Sequence, residues 1–152
     1  MNLKITGLRL GILILFLLMF SIELIPGSAT LRSAYLVGGE TVYAYYYYNF
    51  ISLEAFGMGY ITGLPIALLT LLSTILYVLY LRNNHLNTLN LVRLLTFLIS
   101  LLCILNLMFF VKDFFTITLC VLPIVIYGLI RLLYYIKMKD IKDFYESHQK
   151  TI

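Results

Sequence analysis

Residues 91–136 read LVRLLTFLISLLCILNLMFFVKDFFTITLCVLPIVIYGLIRLLYYI. This stretch holds two apolar runs, Leu91 to Val111 and Phe114 to Ile136, separated by the charged pair Lys112-Asp113. Each run is near the roughly 20 residues that an α-helix needs to cross the hydrocarbon core of a membrane. Because only two residues connect the runs, we predict a tight antiparallel pair of spanning helices.

Two more runs of this kind, Leu8 to Pro26 and Ile61 to Leu81, precede it. The chain is 62% hydrophobic and only 12% charged, which excludes an ordinary soluble domain. Backbone groups in lipid must bond within their own segment, and a barrel would need alternating strands, so the runs should be helices. We predict an all-α membrane protein, a four-helix bundle forming one polytopic domain over residues 1–152, with an outer loop at 27–60 and a tail at 137–152.

The basic residues predict the orientation of the chain. Nine of the eleven fall on one side of the runs: Lys4, Arg9, Arg82, Arg93, Arg131, Lys137, Lys139, Lys142 and Lys150. Only Arg32 and Lys112 fall on the other side. The positive-inside rule then places both termini in the cytoplasm of a multi-pass plasma-membrane protein. The net charge of +4 follows from this topology, so we expect the lipid bilayer and no nucleic acid as a partner.

Helix 1 has a second interpretation. A basic start, an apolar stretch and the small residues Gly27, Ser28 and Ala29 after Pro26 also fit a signal peptide cleaved after Ala29. The apolar stretch is long for a signal peptide, and Gly7 and Gly11 form a small-xxx-small pair that suits packing against another helix. We favour retention of helix 1, and cleavage remains the alternative.

The outer loop is too apolar to be disordered, because it is rich in Tyr, Phe, Leu and Val. Its residues 31–37 and 40–48 resemble strands, and Gly38-Gly39 between them is a hairpin signal. We therefore predict a small extracellular β-hairpin. After it, Ser52 to Phe56 is expected to form one helical turn at the membrane surface, with Ser52 as its N-cap.

The most distinctive local feature is a group of five Tyr among the six residues 43–48. Strand alternation would place Tyr43, Tyr45 and Tyr47 on one face of the hairpin, and Tyr46 and Tyr48 on the other. One interpretation is an aromatic belt at the lipid headgroups. The other is a protein-binding surface, since Tyr gives large contact area at low entropic cost. The candidate partner-binding residues are Tyr43, Tyr45, Tyr46, Tyr47, Tyr48 and Phe56.

Residues 43–60 read YAYYYYNFISLEAFGMGY and lead through Thr62-Gly63-Leu64-Pro65 into a spanning helix. This stretch resembles uncharacterised small four-helix bacterial membrane proteins with a Tyr-rich first outer loop, and it implies no activity. The overall plan is also similar to the claudin architecture. The claudin hallmarks are absent, because the chain has no Trp and its two Cys lie in the apolar runs, so claudin function is not implied.

Glu23 is the only carboxylate inside an apolar run, about three residues from its outer end. That position predicts an acid at the membrane interface, within reach of water; if Glu23 is functional, Arg32 or Lys112 is its expected partner on the outer side. The alternative is an ion-coupling Glu23, because intramembrane acids often mark ion pathways. Small multidrug transporters also use a Glu in helix 1, but theirs lies deep and their loops are short, so this chain departs from them on both counts.

Small and polar residues predict how the helices pack. A stripe in the second helix lets another backbone approach closely, against helix 1 or helix 4. The residues of this stripe are Gly59, Gly63, Ala67 and Thr70. Asn106 of helix 3 is expected to form a hydrogen bond between helices and completes the predicted helix-packing set. Pro65 is expected in the first turn of helix 2, and residues 82–90 are expected to form a polar loop. Cys103 and Cys120 are expected to be independent thiols.

No catalytic motif, metal-ligand set or nucleotide fingerprint is present in the sequence, so we expect neither an enzyme nor a cofactor. The chain is expected to act by protein–protein interaction with a membrane-protein partner or as a homo-oligomer. An accessory subunit of a membrane complex and a protective protein of the bacteriocin-immunity kind both fit a small, basic, polytopic chain. The alternative is a small oligomeric transporter or channel that uses Glu23.

Overall fold

The structure is a computed structural model that describes residues 3–51, 58–109 and 114–149. Within these residues the chain forms α1 (Leu3–Leu24), β1 (Ala29–Val37), β2 (Glu40–Tyr48), α2 (Met58–Asn83), α3 (Leu86–Phe109) and α4 (Phe114–Gln149). The two strands make an antiparallel hairpin between the first two helices. The predicted succession of four long apolar helices with one small hairpin is therefore confirmed.

The four helices form a closed ring of contacts, in which α2 lies between α1 and α3, and α4 lies between α3 and α1. Each helix buries one stripe in which residues recur at steps of three and four. In α1 these residues are Ile12, Phe16, Met19 and Glu23, and in α4 they are Leu119, Pro123, Ile126, Ile130 and Leu133. Such a repeat keeps one seam of each helix turned towards its neighbours, as in coiled coils and helix bundles.

Polarity runs opposite to that of a soluble protein. The buried positions include Glu23, Thr70, Ser73, Thr96, Ser100, Asn106 and Thr116, while Leu, Ile and Val dominate the exposed surface of the helices. Four segments are long and apolar enough to cross a membrane: Ile5–Leu24, Gly63–Asn83, Leu86–Leu107 and Thr116–Lys142. These features are compatible with a multi-pass membrane protein.

The helices are longer than their apolar cores, and this corrects two predictions. The second helix begins at Met58, so Pro65 lies inside it and not in its first turn. The loop predicted at residues 82–90 is reduced to Asn84 and His85, because the polar residues after them form the first turn of α3. Asn84 has φ +55°, and its N–H donates to the Tyr80 carbonyl at 2.8 Å, which ends α2 with a left-handed cap.

The first helix ends at Leu24, two residues earlier than its apolar run, because Pro26 cannot continue the helical hydrogen bonds. Gly27 then takes the left-handed φ of +83° that a turn into β1 requires. At the other end of the chain, α4 continues without a break to Gln149, so the tail from residue 137 to residue 149 extends the last spanning helix.

The hairpin matches its sequence signal closely. Gly38 and Gly39 have φ of +62° and +88°, the positive values that a two-residue primed turn needs. The register then pairs Val37 with Glu40 and continues to Ala29 with Tyr48. The predicted turn at Ser52 to Phe56 and the predicted connection at Lys112-Asp113 lie outside the described residues.

Candidate functional site

The hairpin has two faces, because directly opposed residues of an antiparallel pair share a side of the sheet. We call the face with Tyr48 the bundle-side face, since Tyr48 packs against the buried helix core. It includes Tyr35, Val42, Ala44, Tyr46 and Tyr48. We call the opposite one the outward face, which includes Leu36, Tyr43, Tyr45 and Tyr47, together with Ala34 and Thr41. The predicted division of the tyrosines follows from this register.

The aromatic residues of the bundle-side face contact one another. Tyr46 and Tyr48 stack with ring centroids 6.4 Å apart and planes 15° from parallel. The phenol oxygens of Tyr35 and Tyr46 lie 2.7 Å apart and share a hydrogen bond, which raises the pKa of Tyr46 above its usual value. Sequence reasoning overlooked Tyr35, although a two-residue turn at Gly38-Gly39 already places it opposite Val42 and on this face.

The outward face is open. Tyr43 and Tyr45 are each 48% exposed, Tyr47 is 70% exposed and Leu36 is 79% exposed. Contiguous apolar surface of this kind is unusual on a protein that meets only water, and it commonly marks a contact with a partner or a membrane. The outward face therefore brings three of the six predicted partner-binding residues together, while Phe56 lies outside the described residues.

Two backbone hydrogen bonds fasten the base of the hairpin to the bundle. The Gly27 N–H donates to the Tyr48 carbonyl at 3.1 Å, and the Phe50 N–H donates to the Glu23 carbonyl at 3.1 Å. Phe50 is 3% exposed, and a Cβ placed on Gly63 would lie 3.6 Å from the Phe50 carbonyl oxygen. The hairpin is thus held at the end of α1 and rests on the face of α2.

Glu23 is fully buried, so the prediction of an acid within reach of water is wrong. The chain turns directly after α1 and returns at Phe50, whose N–H donates to the Glu23 carbonyl, so the end of α1 is joined to the returning chain and is not an open helix end. The Thr70 hydroxyl donates to Glu23 Oε1 at 2.8 Å. Glu23 Oε2 has no hydrogen-bond partner within the described part of the chain. The proposed partners Arg32 and Lys112 have no described side chains.

Three other predicted packing residues of α2, Gly63, Ala67 and Thr70, are buried on its face towards Phe50 and α1. Gly59 is in the same helix. Asn106 is 1% exposed in α3, and its interhelical hydrogen bond stays a prediction. The prediction for this stripe was packing against helix 1 or helix 4. α2 contacts α1 and α3 in the ring, so the stripe packs against α1.

The two cysteines form no disulfide, as expected, and they contact each other. The Cys120 thiol donates to the Cys103 carbonyl oxygen at 3.0 Å, which joins α3 and α4, and both thiols are free. Across the described residues, no group of three His, Cys, Asp or Glu is placed to hold a metal ion. Comparisons of the chain with protein families, with characterised proteins and with solved structures gave no match.

Proposed function

We propose that the chain is a multi-pass plasma-membrane protein that acts by protein–protein interaction, with the outward face of the hairpin as its contact surface. Both termini lie in the cytoplasm in this proposal, and the hairpin is extracellular. The partner is the outer part of another membrane protein, which suits an accessory subunit of a membrane complex or a protective protein of the immunity kind.

The observation that carries the proposal is that aromatic residues occupy both faces of the hairpin. Its nine-residue strands are about 30 Å long, whereas each interfacial layer of a bilayer is only about 5–8 Å thick. An upright hairpin would extend far beyond such a layer. A hairpin lying flat could place only one face in it. A membrane belt therefore accounts for one face at most, and the other remains available to a protein.

The outward face is the better candidate of the two. On the bundle-side face, Tyr48 packs on the core and Tyr46 already has a stacking and a hydrogen-bonding neighbour. Tyr47 of the outward face is the most exposed of the hairpin tyrosines that have a stated exposure, and Leu36 lies on the same face. Tyr is one of the residue types in which binding hot spots are enriched.

Site-specific photo-crosslinking in native membranes tests the contact. A benzophenone amino acid would replace Tyr45 or Tyr47 on the outward face, and Tyr46 on the bundle-side face as the matched control. We expect one discrete adduct from the two outward positions and none from the control. Lipid adducts alone at all three positions would contradict the proposal.

Substitutions distinguish a binding surface from a belt. Tyr45→Ala or Tyr47→Ala should weaken binding of the crosslinked partner by about 2 kcal/mol or more. The folded yield of both variants should stay unchanged. Tyr46→Ala should instead lower folded yield. If Phe replaces every tyrosine without loss and Ala lowers yield and recovery together, the cluster is a membrane belt.

The second candidate is a small oligomeric transporter or channel, and the buried Glu23 favours it. Its carboxylate lies in the interior beside Thr70, and further buried hydroxyls follow along the bundle at Ser73, Thr96 and Ser100. Buried acids within spanning helices commonly serve ion pathways. Purified protein in liposomes would then show proton-coupled flux that Glu23→Gln abolishes and Leu68→Ala, a change at an exposed residue of α2, leaves intact. Equal flux with and without protein would dismiss this candidate.

A further inference from the structure

A groove of about 250 Å³ lies between α3 and α4, in the half of the bundle where α3 begins and α4 carries its basic residues. Its lining residues are Asn90, Arg93, Leu94, Phe97 and Tyr127. The Phe97 and Tyr127 rings meet across the groove with centroids 5.7 Å apart. One end of the groove is thus aromatic and aliphatic, and the other carries an arginine and an amide.

The basic end holds more than one positive charge. The Arg93 guanidinium lies over the Tyr134 ring, 4.6 Å from its centroid. Arg131 is exposed and lies between Tyr127 and Tyr134 on the same stripe of α4, since the three are spaced four and three residues apart. Arg93 thus lines this end of the groove, and Arg131 lies one helical turn beyond the lining residue Tyr127 on the same stripe of α4.

Among the residues that the structure describes, no acidic side chain is paired with these arginines. In the sequence, the only acid between Glu54 and Asp140 is Asp113, which is 20 residues from Arg93 and 18 from Arg131. Asp140 follows Arg131 by nine residues, which is about 13 Å along a helix. Neither arginine makes an ion pair with a carboxylate of the described residues. The charge at this end is available to an external anion.

The position of Arg93 within its spanning helix indicates which class of anion binds the groove. Arg93 follows the first residue of the Leu86–Leu107 span by seven positions, so its Cα lies about 10 Å inside the end of that span. Arginine at this depth extends its side chain towards the headgroups, and basic grooves between spanning helices bind anionic lipid headgroups. The groove also has an apolar half, formed by Leu94, Phe97 and Tyr127. A ligand that fills the whole groove therefore needs an apolar part as well as an anionic group.

We propose that the α3–α4 groove binds one anionic phospholipid, with its phosphate between Arg93 and Arg131 and an acyl chain along Leu94 and Phe97. The complementarity of two unbalanced arginines with a phosphate selects an anionic lipid over a zwitterionic one. The apolar half selects a lipid over free phosphate. This site is separate from the hairpin and independent of the function proposed for it.

A single introduced fluorophore tests the site, because the chain has no Trp. Phe97→Trp places the fluorophore in the groove. Leu98→Trp is the matched control, since Leu98 is the next residue of α3, is 40% exposed and does not line the groove. Each variant would be reconstituted in phosphatidylcholine liposomes in which chain-brominated phosphatidylglycerol or chain-brominated phosphatidylcholine is titrated as the quencher.

We expect half-maximal quenching of Phe97→Trp at a lower mole fraction of brominated phosphatidylglycerol than of brominated phosphatidylcholine. The difference should be at least about fivefold, because each basic residue strengthens binding of an anionic lipid by about fivefold. Leu98→Trp should show no preference. Arg93→Gln combined with Arg131→Gln should remove the preference of Phe97→Trp, and raising the salt concentration should weaken it. Equal quenching by the two lipids, or a preference that persists in the double Gln variant, would overturn the proposal.

A second measurement covers the case in which Phe97→Trp does not fold. Phosphatidylglycerol should raise the melting temperature of the unmodified chain more than phosphatidylcholine does. Arg131→Gln should reduce this difference, and Arg82→Gln, an exposed arginine in the last turn of α2 outside the groove, should not. Absence of any lipid-dependent difference would overturn the proposal. So would quenching of Leu98→Trp without quenching of Phe97→Trp, because a second copy or another helix would then cover the groove.

Discussion

Glu23 shows what a single residue does at the junction of the hairpin and the bundle. Its side chain accepts from Thr70, and its carbonyl accepts from the Phe50 N–H. One residue thus connects α1, α2 and the chain that returns from the hairpin. A buried carboxylate is stabilising only when it is hydrogen-bonded, so most of its effect depends on Thr70.

Thr70→Val should lower the stability of the bundle in detergent by about 1 kcal/mol, because it removes the hydroxyl that donates to Glu23. Glu23→Gln keeps an oxygen acceptor and removes the carboxylate, so it should leave the melting temperature unchanged or raise it. Ser73→Ala is the control: Ser73 Oγ is buried and has no hydrogen-bond partner among the described residues, so its loss should be neutral or stabilising. An equal loss in Thr70→Val and Ser73→Ala would show that the Glu23 hydrogen bond does not contribute.

Gly63 provides the space that Phe50 occupies. A Cβ there would lie 3.6–3.8 Å from Phe50, which is ordinary contact, so Gly63→Ala should fold well. Gly63→Leu would place three more carbons into that contact and should lower the melting temperature more than Leu68→Ala, whose side chain is 57% exposed. Similar losses for Gly63→Leu and Leu68→Ala would mean that the glycine is not in a close-packed contact.

At the scale of elements, the end of α2 joins three helices through Asn84. Its left-handed backbone turns the chain into α3, and its Oδ1 accepts from Arg9 Nη2 of α1 at 2.7 Å. The Arg9 guanidinium also lies over the Tyr80 ring, and the Tyr77 hydroxyl donates to the Arg9 carbonyl at 3.1 Å. A basic residue that the sequence marked only for topology is therefore part of a packed helix contact.

Substitutions at Asn84 separate its two roles. Asn84→Gly keeps the positive φ and loses the acceptor for Arg9, so stability should fall slightly. Asn84→Ala loses both and should be about 1 kcal/mol less stable than Asn84→Gly, because a Cβ disfavours the left-handed conformation. Thermal melts of the two variants and of Asn83→Ala, an exposed neighbour, provide the measurement. A higher melting temperature for Asn84→Ala than for Asn84→Gly would contradict a left-handed cap.

At the scale of the whole molecule, the distribution of charge predicts one orientation in the membrane. Green fluorescent protein fused after Lys150 should fluoresce, because we expect that end in the cytoplasm. Alkaline phosphatase inserted at Gly38-Gly39 should be active, because we expect the hairpin outside. A reporter inserted between Asn84 and His85 is the control and should behave as the Lys150 fusion does. Opposite results at either of the first two positions would reverse the proposed topology.

Local sequence alone determined the four helices and the hairpin. Twenty-residue apolar runs admit few structures other than helices, and Gly38-Gly39 between strand-like runs specifies a tight turn, so both features depend on neighbouring residues only. Helix ends were less predictable. Polar residues at 86–90 resemble a loop in composition, yet they form the first turn of α3, because a helix continues past its apolar run wherever backbone hydrogen bonds can form.

Contacts between distant residues were decided by the tertiary structure. Near a helix end, the position of Glu23 in the sequence suggested contact with water, but its side chain is buried and accepts from Thr70, 47 residues further along the chain. Tyr35 joins the tyrosine cluster only through pairing across the turn, and Arg93 and Tyr127 line one groove only because α3 and α4 pack together. Burial and side-chain pairing depend on which elements pack together. The apolar surfaces of the four helices are similar in composition, so neighbouring residues alone do not determine which helices meet.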